Sequence, residues 1–171
     1  MSEQYVLTLN CIYYRMKALC EAADILEPAH AAEGRSHREG QRALYLSATP
    51  EGCVVATARY ADDQTPERGI FPLRVTDARV VDLRDEGATA AFEIDTTHRA
   101  MEWQSVRAQG LHSPTWDLAD RVRALGLDGM LYASRTDPQK THLTLFRWNE
   151  DNTKAQVRQA GPPILCQNAG G

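Results

Sequence analysis

Apolar and polar positions alternate along this chain in short runs, broken by glycine- and proline-rich turns. Residues 5–14, YVLTLNCIYY, are rich in Val, Leu, Ile and Tyr and predict an opening strand, with Arg15 at or just beyond its end. MKALCEAADIL then predicts a short helix closed by Glu27-Pro28. The polar stretch AHAAEGRSHREGQ, with Gly34 and Gly40 as turn residues, predicts a loop, the kind of segment on which a scaffold often places functional side chains. RALYLS is the next strand. Thr49-Pro50 follows almost at once and predicts a helix start, with a hydroxyl N-cap and proline at the first helical position, where its missing N–H costs nothing. That helix is expected to end by Ala61-Asp62-Asp63-Gln64. GIFPLRV and ARVVDL predict two strands separated by Thr76-Asp77.

Residues 88–112 carry no clear period and predict helix and loop over the core. Ser113-Pro114 repeats the N-cap-plus-proline signature, and Leu118, Val122 and Leu125 form an i, i+4, i+7 stripe that Gly126 can cap. GMLYAS and HLTLFRW, joined by the turn-rich RTDPQKT, predict a closing hairpin. From Asn149 onward the chain is expected to fray, which gives a single domain over residues 1–150 and a flexible tail over 151–171. Strands and helices alternate irregularly rather than as βαβ units, so the class expected is α+β.

Composition narrows the function classes. A chain of 171 residues suits one core, and a net charge of −4 gives no global positive field for a nucleic-acid backbone, although local arginine clusters can hold a small anion. No stretch approaches the roughly 20 apolar residues of a membrane span, and MSEQYVLTLN lacks the features of a signal peptide, so a soluble, cytoplasmic protein is expected. Cys11, Cys20, Cys53 and Cys166 show no C-x-x-C spacing and are expected as reduced thiols; the five histidines make no H-x-x-x-H pattern, so no metal is expected.

The candidate chemistry lies in Arg15, Arg35, Tyr45 and Ser134, each at an expected strand end or in a glycine-flanked loop. Arginine offers a rigid fork of donors for phosphate oxygens, and a neutral hydroxyl fixes a sugar or an amide. Taken singly, each is as well explained by an edge arginine, a core tyrosine or a turn serine. Their order is more informative: YYRM (13–16), EGR (33–35), RALYLSATPE (42–51), VVDL (80–83), GLDGMLYAS (126–134) and THLTLF (141–146). Over residues 12–147 this series resembles the RES-domain family, named for its arginine, glutamate and serine.

The resemblance implies a compact fold related to ADP-ribosyltransferases, a mixed sheet with flanking helices. It also implies an NAD⁺-consuming toxin paired with an antitoxin, with NAD⁺ as substrate and water, phosphate or a protein side chain as acceptor. Arg15 would bind the dinucleotide's phosphates or ribose, Arg35 would be the loop arginine, Tyr45 would contact the nicotinamide end, and Ser134 would be the family serine. Breaking the nicotinamide–ribose bond passes through an oxocarbenium-like state that a carboxylate stabilises. Where the family has its glutamate, about three turns of chain beyond the tyrosine, this sequence has Ala56. Tyr60 likewise stands where many members have histidine. Three explanations compete for Ala56: a naturally weakened member, an inactivated variant of an active parent, or relocation of the acid to Glu51 or Glu93. Glu51 lies five residues earlier, a net rotation of about 140°, and faces elsewhere. Alanine is also the replacement a deliberate inactivation would choose. The alternative function is a catalytically silent NAD-binding or protein-interaction module.

Overall fold

The computed structural model describes residues 2–58 and 64–166. After a 3₁₀ turn at Ser2–Tyr5 come strand β1 (Val6–Ala18), a 3₁₀ segment (Leu19–Asp24), β2 (Leu44–Ser47), helix α1 (Pro50–Thr57) and the long β3 (Arg68–Asp82). Helices α2 (Glu86–Ala91), α3 (Trp103–Ala108) and α4 (Pro114–Ala124) follow, then β4 (Gly129–Ala133), β5 (Thr141–Leu145), β6 (Gln156–Gln159) and β7 (Ile164–Leu165). The expected α+β class holds.

The strands run β1-β2-β5-β4-β3, and β1 pairs again with β3, so five strands close into a ring. The one parallel contact in that ring is β3 with β4, and the crossover between them carries α2, α3 and α4. Alternation assigns the two faces. Leu44 and Leu46, Leu131, Leu143 and Leu145 turn inward with Tyr13, Phe71, Leu73, Val75 and Trp148 to fill the ring. On the outside, Val81, Met130 and Phe146 meet Leu118, Ala119 and Val122 of α4 and Ala88 of α2 in a second apolar layer.

Four expectations change. The helix expected over residues 16–26 gives way to strand as far as Ala18, because Met16, Lys17 and Ala18 pair with Ile70, Gly69 and Arg68; only a 3₁₀ segment remains. Tertiary pairing here overrides local helix propensity. The two strands expected around Thr76-Asp77 are one bent strand. Asp77 takes a left-handed φ of 52°, and its N–H donates to Asn10 Oδ1 at 3.1 Å beside the register shift between Leu9 and Cys11. The tail expected from 151 carries two short strands, β6 and β7, and both pair with β3. Arg15 lies within β1 rather than at its end.

Thr49 caps α1 as expected, accepting from Gly52 N–H at 3.0 Å. The expected end of that helix and the position of Tyr60 lie outside the described residues. Ser113 occupies the N-cap position of α4, but its Oγ pairs with Thr115 Oγ1 at 2.7 Å instead of capping an amide. Among the described residues no helix is long and apolar enough to cross a membrane, and no three His, Cys, Asp or Glu side chains cluster as a metal site.

Candidate functional site

The outer face of β2, β5 and β4 is apolar under α4 and becomes polar beyond it. Register sets Tyr45, Thr144 and Met130 in one cross-strand row, and Ser47, His142 and Tyr132 in the next. Tyr14 of β1 pairs with Ser47 and extends the second row. The row is knit together: Ser47 Oγ lies 2.8 Å from His142 Nδ1, the Tyr132 hydroxyl lies 2.9 Å from Thr144 Oγ1, and the Tyr132 and His142 rings sit 5.7 Å apart. Burial, reinforced by the Arg35 charge, lowers His142 to about 4, so its imidazole is neutral.

A cavity of about 120 Å³ opens where this sheet face, α4 and two loops converge. Its floor is Leu83, Leu118, Met130 and Tyr132. Arg35, Arg99 and Arg135 and the hydroxyl residues Ser36, Thr115 and Ser134 stand around it. No carboxylate occurs among the described residues that line it. Three guanidinium groups beside hydroxyls and an apolar floor suit an anionic ligand that also carries a ring.

The loop bearing Arg35 is held from α4. Trp116 Nε1 donates to Gly34 O at 2.8 Å, Thr115 Oγ1 to Arg35 O at 2.6 Å, and an Arg123 guanidinium nitrogen to Ser36 O at 2.8 Å. The Arg35 guanidinium donates to the carbonyls of Arg99 and Met101 at 3.2 and 2.9 Å, which fixes the opposite wall. Ser134, buried at the end of β4, accepts from Asp137 N–H at 3.3 Å and shapes the turn into β5.

Arg35 and Ser134 thus line the cavity, and Tyr45 lies in the adjoining row within the electrostatic reach of Arg35. Arg15 does not join them. It shares the inward-facing set of β1 with Tyr13, and one guanidinium nitrogen donates to both Ile25 O and Glu27 O at 2.7 Å. Burial lowers its pKa to about 10. Ala56 is exposed on α1 rather than inward-facing. Its helix nonetheless borders the site: Gly52, one turn earlier, packs so closely on Ser47 that a Cβ there would lie 3.0 Å from Ser47 Cβ. Glu51 is exposed, and Glu93 is exposed with its carboxylate 3.8 Å from Arg121, away from the cavity lining. Sequence reasoning missed Ser47, Tyr132, His142, Arg99 and Arg135. The alternation of GMLYAS and HLTLF carried the signal for the two ring residues, since each is the sequence neighbour of an inward-facing leucine, Leu131 or Leu143, and so takes the other face.

Comparison with known proteins bears on the family and the fold. No curated protein sequence matches the chain. Among solved structures it is similar to a chain of the M. tuberculosis MbcT–MbcA toxin–antitoxin complex, at 16% sequence identity and a TM-score of 0.65, covering 96% of this chain and 89% of that one. At that identity the likeness concerns the fold. The RES domain matches residues 12–166, taking in the loop of Arg35, the polar row and the strands that follow it. With a match over nearly its whole length, the chain belongs to the RES-domain family.

Proposed function

We propose that this chain is the toxin of a toxin–antitoxin pair and that its cavity takes NAD⁺, the substrate whose nicotinamide–ribose bond such a site would break. The observation that carries the reading is the cavity itself: Arg35, Arg99 and Arg135 for phosphate oxygens, hydroxyls of Ser134 and Thr115 for ribose, and the Tyr132 ring on an apolar floor for a flat base. The relation to ADP-ribosyltransferases, the cytoplasmic location where NAD⁺ is drawn, and the acceptor (water, phosphate or a protein side chain) are parts of this proposal. The similar solved structure is a toxin–antitoxin complex, and we extend a cognate antitoxin to this chain.

None of the described residues that line the cavity is a carboxylate, and by resemblance we carry the acid that the reaction calls for to the helix that borders the polar row, at position 56. Its exposure means that a glutamate would be accommodated without the cost of burying a charge. Such a group, held against a developing oxocarbenium ion, is worth about 10²–10³ in rate. Titrating the purified chain with NAD⁺ and measuring free nicotinamide therefore tests the reading. The chain as it stands should bind NAD⁺ and release little nicotinamide. Ala56→Glu should raise release by about that factor with affinity little changed. Release by the unaltered chain that Glu93→Gln abolishes would place the acid elsewhere. Binding without release in Ala56→Glu favours the second reading, a silent NAD-binding module, for which the absence of a carboxylate among the described residues lining the cavity is the specific observation.

A further inference from the structure

The Tyr45 hydroxyl, one of the groups assigned to the ligand by resemblance, is committed within the protein. His37 Nε2 lies 2.8 Å from Ala31 O, an oxygen that can only accept, so Nε2 carries the ring proton and Nδ1 carries the lone pair. Tyr45 Oη lies 2.7 Å from that Nδ1 and must donate its single proton there. The same oxygen accepts from Ser36 N–H at 3.0 Å. The pair is closed tightly. A Cβ on Gly34 would lie 2.5 Å from the His37 ring and 2.7 Å from Tyr45 Oη, and Gly34 N–H donates to His37 O at 2.9 Å.

Arg35 sits between Gly34 and Ser36, whose main-chain amides are both engaged by this pair, while α4 holds the carbonyls of residues 34–36 from the other side. We infer that His37 and Tyr45 are a positioning pair: neither offers its polar atoms to the ligand, and together they set the main chain that aims Arg35 across the cavity. Tyr45 acts as the relay. The imidazole of His37 faces Ala31 on its own loop and Tyr45 on β2, so the link joins a loop to the ring of strands rather than bracing the loop against itself.

The inference rests on the NAD⁺ reading for its binding readout, and a second readout stands without it. Asparagine at position 37 reproduces an acceptor near Nδ1 and forgoes the Ala31 contact; glutamine reaches the Nε2 position and forgoes the Tyr45 contact. His37→Gln and Tyr45→Phe are expected to weaken NAD⁺ binding at least about tenfold, and His37→Asn to restore it to within about threefold of the unaltered chain. Hydrogen exchange of the Ser36 amide in ligand-free protein should quicken in His37→Gln and Tyr45→Phe and stay slow in His37→Asn. Urea unfolding of each variant separates local from global loss. Wild-type affinity in His37→Gln, or failure of His37→Asn with glutamine tolerated, overturns the inference. If the unaltered chain binds no NAD⁺, the NAD⁺ reading fails, and Ser36 exchange alone decides: unchanged protection in His37→Gln overturns the pair.

Discussion

The Arg15 guanidinium donates to two main-chain carbonyls from a buried position, joining β1 to the turn that leads into the site loop. A charge-assisted contact of this kind contributes roughly 1.5–3 kcal/mol, and removing it leaves two carbonyls without their donor. Arg15→Met is therefore expected to lower unfolding stability by about that amount in urea titration, with NAD⁺ affinity falling only as far as the loop is disturbed. The positions of Arg35 and Ser134 were legible in the sequence because short motifs flank them, and the structure sets both in the lining of one cavity. Arg15 was misread for a physical reason: whether a strand-borne arginine meets a ligand or a carbonyl depends on which face it occupies, and the face depends on where the strand stops. His142 and Tyr132 were hidden differently. Their alternation was visible, but only cross-strand register shows that their face carries Ser47 as well.

Strand β4 shows how one element sets the height of the sheet beside it. Gly129 pairs with Leu145, and a Cβ there would run into the Thr144 main-chain oxygen and crowd Leu145. Main chain cannot swing aside as a side-chain tip can, so Gly129→Ala is expected to destabilise the fold by roughly 1–3 kcal/mol or more, read as a lower urea midpoint. Nearby, the buried Asp128 accepts from Arg79 N–H at 2.8 Å, from Thr153 Oγ1 at 2.6 Å and from the Arg147 guanidinium, tying β3 to the segment after β5. Helix α4, both hairpin strands and the capped start of α1 were readable because their signals are local. Strands β6 and β7 were not: residues such as Arg158 and Gln159 read as polar tail, and only the waiting edge of β3 makes them strand. The same dependence on a distant partner turned the end of β1 from helix to strand.

At the scale of the molecule, the neutral polar row makes stability depend on pH. The fold lowers His142 from 6.5 to about 4, and burial also lowers His37. Between those values the unfolded chain binds the proton and the native one does not, so stability is complete above about pH 6.5 and falls as pH drops towards 4. His142 alone accounts for up to ~3 kcal/mol of that loss. Urea midpoints at about pH 7 and about pH 5 should show the decline, and His142→Asn should flatten it. The closed ring has a consequence for synthesis. Ser47 and His142 meet across 95 positions of sequence, and the cavity draws its walls from residues as far apart as Arg35 and Pro138. Long-range closures of this sort come late and slowly in folding. A chain that stops short of β5 therefore lacks His142 and Thr144, and Ser47 on β2 and Tyr132 on β4 are left without the strand that lies between them.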